Sequence, residues 1–427
     1  MLKNDKTAQK GYEMFLRRDL EETARRFAKF PVVAILGPRQ SGKTTLVKNV
    51  FSQHAYLNFE NLDTRTFAKN DPNRFLLEFE NPHGIIIDEF QHVPEFLSYI
   101  QIEADEKKRP GYFILTGSHP AYVYPGPQAR QTTADFGQGP RNLMDSFTQS
   151  LAGRVGILTL LPFSINELME NNKLNTIDDT MYKGGYPQLH SQNFTPQELL
   201  PSYIHSYIER DVRDLINVVD LSIFKKFMQL CAGRIGQSLN ISDIATNCGI
   251  EQKVITRWIS VLESSYILFL LKPYHKNFNK RVTKTPKLFF YDTGIACSLL
   301  NIRSPEDLAL SSFRGHMFEN MIIADFYKQY YNLGLEAPLY FWREQNGRTE
   351  VDCIIDMGIN LKALEIKSGQ TINSDFFDGL NKWTELSGSD RSHNYLIYAG
   401  QHEQTRTVAH VVGWKQAGTL VKKIENQ

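Results

Sequence analysis

The stretch PVVAILGPRQSGKTTLV, residues 31–47, joins an apolar β-branched run to a glycine-rich loop and the start of a helix. Its spacing is G-x-x-x-x-G-K-T, in which the glycines let backbone N–H groups wrap a phosphate while the helix N-terminus adds its positive dipole end. In this pattern Lys43 reaches the β- and γ-phosphates and Thr44 holds Mg²⁺. The stretch therefore predicts an ATP-binding P-loop. The residues predicted to bind the nucleotide are Gly37, Gly42, Lys43, Thr44 and Thr45.

Two apolar runs downstream complete the predicted nucleotide site. The first, HGIIIDEFQHVP, ends in adjacent carboxylates, of which Asp88 is expected to bind the Mg²⁺ shell and Glu89 to polarise the attacking water. The second, GYFILTGSHP, places Thr116 or Ser118 where it can sense the γ-phosphate. The alternative for the first run is a buried strand that simply ends at an acidic turn. Strands interleaved with helices in this way predict a parallel, doubly wound α/β sheet.

Length and composition set the broad class of the protein. A chain of 427 residues is too long for one hydrophobic core, so roughly two to four domains are expected. Apolar residues make up 41% and charged residues 22%, as in soluble globular proteins. The apolar runs fall short of the roughly 20 residues that span a bilayer, the first residues show no signal-peptide pattern, and the four cysteines show no C-x-x-C spacing. We therefore expect a reduced, cytoplasmic protein without a membrane partner.

A series of short motifs gives the chain a family resemblance. They are, in order, GPRQSGKTTL, IIIDEFQ, ILTGS, SLAGR, LLPFS, GGYPQ and YIERDVRDL. The same order occurs in a widespread prokaryotic group of AAA-type P-loop ATPases, which this chain resembles over nearly its full length. The resemblance implies an AAA-type core with a helical lid, a homo-oligomer, and a C-terminal restriction-endonuclease-like domain of the PD-(D/E)xK type.

AAA-type ATPases usually take an arginine from a neighbouring subunit to complete the nucleotide site. The resemblance offers Arg154 in SLAGR, and Arg210 or Arg213 in YIERDVRDL, as candidates for this catalytic arginine. We favour Arg154 because it follows the sensor strand closely. The alternative is that each arginine caps a helix or pairs with a nearby acid such as Asp211 or Asp214.

The middle of the chain predicts three helices followed by a basic hairpin. The helices are LSIFKKFMQLCAGRIG, then NISDIATNCGI, which begins at an N-capping Ser242, and then EQKVITRWISVLESSYIL. Two strands, ILFLLKPY and PKLFFYDTG, flank the loop HKNFNKRVTKT. This order describes a winged helix, in which Lys253 and Arg257 would face a groove and the loop cations would contact phosphates. The alternative is a packing module with a solvated hairpin.

The net charge of the whole chain is only +1, so contact with nucleic acid has to come from a local patch. Residues 264–291 form such a patch, because they contain six cations and no acid. Nucleic acid is therefore an expected partner, with DNA favoured over RNA. The cations of the patch are Lys272, Lys276, Lys280, Arg281, Lys284 and Lys287.

A second chemical motif lies in EVDCIIDMGINLKALEIKSG, residues 350–369. The runs VDCIID and LKALEIK are strand-like, and Gly358 stands where a two-residue type II′ hairpin requires glycine. With Gly358 and Ile359 as the loop, cross-strand partners have numbers that sum to 717, so Asp352 faces Glu365. The polar face then carries Glu350, Asp352, Glu365 and Lys367, with Glu350 opposite Lys367, and the core face carries Val351, Cys353, Ile355, Met357, Leu364 and Ile366.

The polar face of this hairpin predicts a divalent-metal site. Two carboxylates as close as Asp352 and Glu365 would repel unless a cation lay between them, and Mg²⁺ or Mn²⁺ is suited to that place. Lys367 would orient or deprotonate a water or stabilise the phosphate, which is the chemistry of the motif D-x(n)-E-x-K. Upstream, Glu319 in the amphipathic helix FRGHMFENMIIADFY resembles the helix-borne acid that completes such sites. The alternative is a half-exposed hairpin whose charged face is only solvated.

These features predict an oligomeric ATPase that uses ATP to position or gate metal-dependent cleavage of nucleic acid. The alternatives are an ATP-switched DNA-binding regulator whose last domain only binds, and a chaperone-like remodeller of protein partners. The Pro-, Gly- and Gln-rich residues 121–150 predict a long loop that is either mobile or in contact with substrate or a neighbouring subunit. The expected segments are an ATPase core at 12–160, a helical lid at 161–220, a winged helix at 221–292 and an endonuclease-like domain at 293–427.

Overall fold

The structure is a computed structural model of the chain. It describes residues 16–118, 151–208, 220–274, 285–344 and 349–426. Three sequence predictions concern residues outside these ranges: the long loop at 121–150, the candidate arginines Arg210 and Arg213, and the loop cations at 276–284. Within the ranges, none of the helices combines the length and the apolar character that crossing a bilayer requires.

The first unit is a parallel sheet that is covered on both faces. Its described strands are β1 (Val32–Leu36), β2 (Ala55–Asn58), β3 (Ile85–Asp88), β4 (Phe113–Gly117) and β5 (Val155–Thr159). They lie in the order β2-β3-β4-β1-β5, and every neighbouring pair is parallel. Successive residues of β1 enter different cores, since Ala34 packs with Leu115 on one face and Ile35 packs with Ile114 on the other. Burial on both faces explains the uninterrupted apolar runs, and the predicted parallel α/β sheet is confirmed.

The helices around this sheet differ in how they begin. They are α1 (Leu20–Phe27), α2 (Lys43–Val50), α3 (Leu62–Asn70), α4 (Pro72–Glu78) and α5 (Leu97–Lys107). The side chains of Asn61 and Asp71 cap α3 and α4 by accepting hydrogen bonds from backbone N–H groups. By contrast, α1 and α5 have no side-chain cap, and neither has α2, which follows Gly42. Its first N–H groups are therefore left to an external acceptor.

A helical segment connects the two sheets. Its described helices are α6 (Ile165–Glu170), α7 (Ile177–Lys183), α8 (Gln188–Ser191), α9 (Pro196–Tyr203), α10 (Leu221–Ala232), α11 (Ile241–Cys248) and α12 (Gln252–Ser264). The three helices predicted for a winged helix are α10 to α12, and Lys253 and Arg257 lie exposed on α12. The predicted N-cap of α11 was wrong. Asn240, rather than Ser242, has the extended backbone of a cap and accepts a hydrogen bond from the N–H of Asp243 at 3.0 Å.

The second sheet draws strands from both sides of the expected boundary at 292/293. Its described strands are β6 (Leu268–Pro273), β7 (Lys287–Phe290), β8 (Leu339–Arg343), β9 (Glu350–Met357), β10 (Asn360–Lys367), β11 (Asn394–Tyr398), β12 (Gln404–Thr405) and β13 (His410–Gly413). They lie in the order β12-β13-β11-β10-β9-β8-β6-β7. β6 pairs with β8 in parallel, with Lys272 opposite Tyr340. The two strands predicted as a wing are therefore the edge of the sheet that contains the β9–β10 hairpin.

Helices pack on both faces of the second sheet. They are α13 (Thr293–Leu299), α14 (Pro305–Leu310), α15 (Arg314–Asn332), α16 (Asp378–Ser387), α17 (Trp414–Ala417) and α18 (Leu420–Glu425). α15 shares a core with helices of the connecting segment, whereas Leu380 and Trp383 of α16 fill a core on the opposite face. The first sheet's α1 contacts the end of α15, because Thr23 Oγ1 donates to the carbonyl of Asn332 at 2.7 Å.

The register of the β9–β10 hairpin is the predicted one. Asn360 pairs with Met357 and Leu364 pairs with Cys353, so partner numbers sum to 717. Gly358 has a φ of +77°, in the left-handed region that this tight turn requires of its first loop residue. The hairpin turn was therefore correctly predicted.

One residue of the hairpin faces the side opposite to the predicted one. Val351 lies in the core with Ile354 and α16, whereas Cys353 and Ile355 lie in the core with α15. The pairing of β8 with β9 shifts by one residue at this point, as in a β-bulge. Because a one-residue shift exchanges the two faces of a strand, the bulge changes which acids lie next to Asp352.

Candidate functional site

The backbone after β1 forms the predicted phosphate loop. Gly37, directly after Leu36, has a φ of +154°, and a Cβ there would collide with the carbonyl oxygen of Leu160. Gly42 has a φ of +94°, which residues with side chains avoid. α2 then starts at Lys43 with uncapped N–H groups. The glycine spacing and the free helix N-terminus together suit the binding of a phosphate.

Lys43 lies buried under this loop, with 5% of its surface exposed. Its Nζ donates to the backbone carbonyls of Gly37 at 3.1 Å and Pro38 at 2.8 Å. Burial lowers the pKa of Lys43 to about 8, although the carboxylates of Glu89 and Asp88 act in the opposite direction. A phosphate in the loop would therefore stabilise an ammonium group that the protein alone leaves poorly compensated.

Asp88 ends β3 and is surrounded by hydroxyl groups. Thr44 Oγ1 donates to Asp88 Oδ2 at 2.8 Å, and the hydroxyl of Tyr56 donates to the same oxygen at 2.6 Å. The hydroxyl of Thr116 donates to the other carboxylate oxygen. Thr44 and Asp88, the two residues predicted to hold Mg²⁺, are therefore neighbours, while Thr45 lies exposed in the same turn.

Glu89 has a backbone conformation that is uncommon for a residue with a side chain. Its φ is +57°, and its carboxylate accepts hydrogen bonds from Ser118 Oγ, at 2.9 Å, and from the side chain of Gln91. Strained backbone of this kind often occurs at functional sites. Ser118, which was predicted to sense the γ-phosphate, thus contacts the carboxylate that was predicted to polarise water.

Sequence reasoning missed Arg18, which contacts the phosphate loop through the carbonyl of Ser41. This arginine is 4% exposed and donates to the carbonyls of Ser41 at 2.7 Å and Leu161 at 2.6 Å. It also pairs with Glu167 at 2.8 Å. Glu167 belongs to a capping box with Ser164 at the start of α6. The sequence does contain a signal for the acid that pairs with Arg18. The pattern S-x-x-E directly follows the LLPF motif and predicts a helix start with a fixed carboxylate.

Arg154 lies at the end of the first sheet that is remote from the phosphate loop. Its carbonyl accepts a hydrogen bond from the N–H of Val32 at the start of β1, whereas the loop follows the end of β1. Its guanidinium pairs with Asp105 on α5, with one N–O distance of 2.9 Å. The structure therefore contains the pairing that was the alternative for this arginine, with Asp105 as the acid. A role in a neighbouring subunit stays a prediction.

The second predicted site contains three carboxylates that lie together. Oxygen atoms of Glu319, Glu350 and Asp352 all lie within 4.8 Å of one another, as they would around one metal ion. Asp352 Oδ2 also accepts a hydrogen bond from the N–H of Ile366 at 2.8 Å. Glu319 and Asp352 were predicted as ligands, but Glu350 stands in this group where Glu365 was expected. The bulge in β9 accounts for the difference.

Glu365 lies next to the three carboxylates but has a different partner. One of its oxygens contacts the ammonium of Lys367, and the other has no hydrogen-bond partner among the described residues. Burial raises the pKa of Glu365 well above its usual range, the charge of Asp352 adds to the increase, and Lys367 opposes it. A Cβ on Gly379 of α16 would lie 2.9 Å from the unpartnered oxygen, so the helix approaches closely here.

Lys287 is the unexpected member of this second site. It was predicted to lie in a basic patch that contacts phosphates, but only 2% of its surface is exposed. Its Nζ lies 2.9 Å from Glu319 Oε1 and also contacts Glu350, which pairs in addition with Arg343. Burial raises the pKa of Glu319 to about 7, with Lys287 acting to lower it and Asp352 to raise it. Lys287 is therefore removed from the predicted nucleic-acid surface.

Comparison with known proteins gives a family for the first unit. Residues 29–132 match a family described as an AAA domain. Residues 174–306 and 314–416 match two families described as domains of unknown function, DUF8612 and DUF4143. Together with the phosphate-loop geometry, the first match supports an AAA-type P-loop domain with an ATP-binding site in this part of the chain.

Relatives of the whole chain also exist. The uncharacterized proteins Rv2008c of Mycobacterium tuberculosis and Mb2031c of Mycobacterium bovis are each 26% identical over 372 residues, which cover 86% of this chain and 77% of the relative. The Walker-type ATPase PABY2304 of Pyrococcus abyssi has a TM-score of 0.36 at 14% identity, covering 68% of this chain and 97% of the other. The RuvB Holliday junction branch migration motor of Thermotoga maritima has a TM-score of 0.27 at 16% identity, covering 59% and 85%. Scores this low add nothing to the assignment, which rests on the domain match and the loop.

Proposed function

We propose that the chain hydrolyses ATP at the phosphate loop. The observation that carries the proposal is the position of the Glu89 carboxylate, which directly follows Asp88 and is held by Ser118 at 2.9 Å. Thr44 and Asp88 fit Mg²⁺, because they place a hydroxyl and a carboxylate oxygen 2.8 Å apart and this ion prefers oxygen ligands. Bound Mg²⁺ would neutralise charge on the β- and γ-phosphates.

The residues of the loop would act in two ways during hydrolysis. Lys43 would exchange the carbonyls of Gly37 and Pro38 for phosphate oxygens, which are better partners for an ammonium group. Glu89 would orient the attacking water and accept a proton from it. Ser118 donates to the Glu89 carboxylate and would keep it oriented toward the water, next to the γ-phosphate that Ser118 was predicted to sense.

Phosphate release by the purified protein tests this proposal. Glu89→Gln keeps the shape of the side chain but cannot accept the proton, so hydrolysis should fall by about 10²–10⁴-fold while ATP still binds. Glu95→Gln makes the same chemical change at an exposed residue nearby and should leave the rate unchanged. Hydrolysis by Glu89→Gln at the rate of the unchanged protein would refute the assignment.

A second function, metal-dependent cleavage of nucleic acid, is supported by the carboxylate cluster. Glu319, Glu350 and Asp352 offer oxygen ligands within 4.8 Å of one another, which fits Mg²⁺ or Mn²⁺. Such an ion supplies a polarised phosphate and an activated water. Lys367 and Glu365 lie at the same end of the hairpin, where Lys367 would stabilise the phosphate. We favour DNA over RNA as the substrate, and a homo-oligomer as the assembly that ATP controls.

Incubation with plasmid and single-stranded DNA, with Mg²⁺ or Mn²⁺ and with or without ATP, tests the second function. Cleavage that is lost in Asp352→Asn but kept in Asp356→Asn, a change at the far end of β9, would support it. ATP-dependent DNA binding without cleavage would instead favour a regulator whose last domain only binds. Absence of both binding and cleavage would direct the search to protein partners.

A further inference from the structure

Lys287 Nζ contacts two of the three acids that would surround a metal ion in the carboxylate cluster. It is 2.9 Å from Glu319 and contacts Glu350 directly. The lysine side chain is 2% exposed, and the side chains of Glu319 and Glu350 are 12% and 20% exposed, so solvent screens this contact only in part. The cluster therefore contains a positive charge that belongs to the chain itself.

Strand pairing holds the backbone of Lys287 in place on both sides. Lys287 pairs with Leu271 in β6, and on its other side it forms an isolated bridge with Ser238. Its ammonium also lies 5.4 Å from the centre of the Phe341 ring, within the range of a cation–π contact. Movement of the ammonium out of the cluster therefore requires rotation of the side chain and does not require the strand to leave the sheet.

The local charges explain why this lysine matters for metal binding. The cluster and its ion pairs bring together four carboxylates and three cationic side chains, which gives a formal charge of −1 when every group is counted as ionised. Without Lys287 this formal charge would be more negative by one, and the oxygens of Glu319 and Glu350 that now contact the ammonium would be open to another cation. The carboxylates are Glu319, Glu350, Asp352 and Glu365, and the cations are Lys287, Arg343 and Lys367.

We propose that Lys287 is the resident cation of this cluster, and that a divalent ion binds Glu319, Glu350 and Asp352 only after the Lys287 ammonium has left. An ammonium and a divalent ion a few ångströms apart would repel strongly in a buried site. The two cations are therefore alternatives. The inference deepens the second function proposed above, because it makes the hairpin site one that has to be opened before it takes a metal ion.

Binding of Mn²⁺ to the full-length chain, followed by calorimetry and thermal unfolding without nucleic acid, tests the inference. Lys287→Met should lower the unfolding temperature in EDTA, because it removes the ammonium that Glu319 and Glu350 share and leaves Arg343 with Glu350 alone. Mn²⁺ should then raise that temperature by about 3–5 °C, and its affinity should exceed that of the unchanged protein by about tenfold or more. Lys287→Gln, which is neutral but can donate to the carboxylates, is a second variant with the same expected gain.

The controls separate the cluster from other effects. Lys272→Met makes the same change at an exposed lysine on β6 and should leave Mn²⁺ binding unchanged. Adding Glu319→Gln to Lys287→Met should remove the gain. Any Mn²⁺ bound at Asp88 contributes equally to all these variants, so differences between them report on the cluster.

Two results would overturn the inference. One is equal Mn²⁺ affinity in the unchanged protein and in both Lys287 variants. The other is failure of Mn²⁺ to restore folding if both variants unfold in EDTA, since a divalent ion should replace the lost ammonium. These measurements do not depend on cleavage, so a protein that fails to cut DNA would count against the second proposed function and not against this inference. A protein that cuts DNA but has equal Mn²⁺ affinity in all variants would refute this inference and leave the second proposed function intact.

Discussion

Ser118 Oγ donates a hydrogen bond to Glu89 Oε1 over 2.9 Å, which joins the residue after β4 to the carboxylate proposed to orient water. Glu89 itself directly follows β3, so the contact spans two adjacent strands of the first sheet. The position of the Glu89 carboxylate therefore depends on the residue proposed to sense the γ-phosphate.

Ser118→Ala removes this contact without changing the backbone. Hydrogen bonds to charged groups contribute about 1.5–3 kcal/mol, so we expect the rate of hydrolysis to fall by about tenfold or more. ATP binding should change little, because Lys43 and the loop N–H groups are untouched. Steady-state phosphate release and ATP titration measure the two effects separately. If the exposed control Ser202→Ala lost as much of its hydrolysis rate, the contact between Ser118 and Glu89 would have no specific role in hydrolysis.

Binding of ATP should be coupled to proton uptake above pH 8. The pKa of Lys43 is lowered from 10.5 to about 8 by burial, and phosphate oxygens favour the charged form. Between pH 8 and pH 10.5, Lys43 is largely neutral in the absence of ATP and has to gain a proton when ATP binds. The affinity for ATP should therefore fall as the pH rises. Calorimetry at pH 9 in buffers of different ionisation enthalpy measures the uptake. At pH 7 the uptake should be much smaller, and Lys43→Arg, which stays charged, should abolish it.

Arg154 should act on the nucleotide of a neighbouring subunit. It lies at the far end of its own sheet, so it cannot complete its own site. Mixing Glu89→Gln subunits with Arg154→Ala subunits should therefore restore some hydrolysis, because an intact arginine then meets an intact carboxylate. The loss from removing the arginine alone should be large, about 10³–10⁵-fold by analogy with other NTPases. Two inactive parents whose mixture also stays inactive would argue against this arginine, and Arg109→Ala provides an exposed control.

Glu350 should matter at least as much as Glu365 for metal binding. The sequence register alone places Glu350 one step further from the metal, but the structure groups it with Glu319 and Asp352. Glu350→Gln should therefore weaken Mn²⁺ binding in the Lys287→Met background by about tenfold or more, while Glu365→Gln should weaken it less. Calorimetry of the two double variants measures the order. A larger loss in Glu365→Gln would return the metal to the position predicted from sequence.

Local patterns predicted most of what depends on local geometry. The phosphate loop follows from glycines at fixed spacing, and the hairpin register follows from one glycine and the strand period of two. The bulge between Val351 and Ile354 was not predictable, because it depends on pairing with β8 rather than on the hairpin itself. Lys287 was misplaced for the same reason. Its partner Glu350 is distant in sequence, and a lysine in a basic run gives no sign of burial in a carboxylate cluster.

The addition of β6 and β7 to the second sheet has a practical consequence for cutting the chain into pieces. A fragment that starts at residue 293, the expected domain boundary, would lack the strand that covers β8 and would expose an unpaired edge to other molecules. It would also lack Lys287, so the carboxylates of Glu319 and Glu350 would face each other without their buried counter-charge. Such a fragment should associate through the open edge and bind cations from its buffer. Both behaviours would result from the truncation and would not be properties of the intact protein.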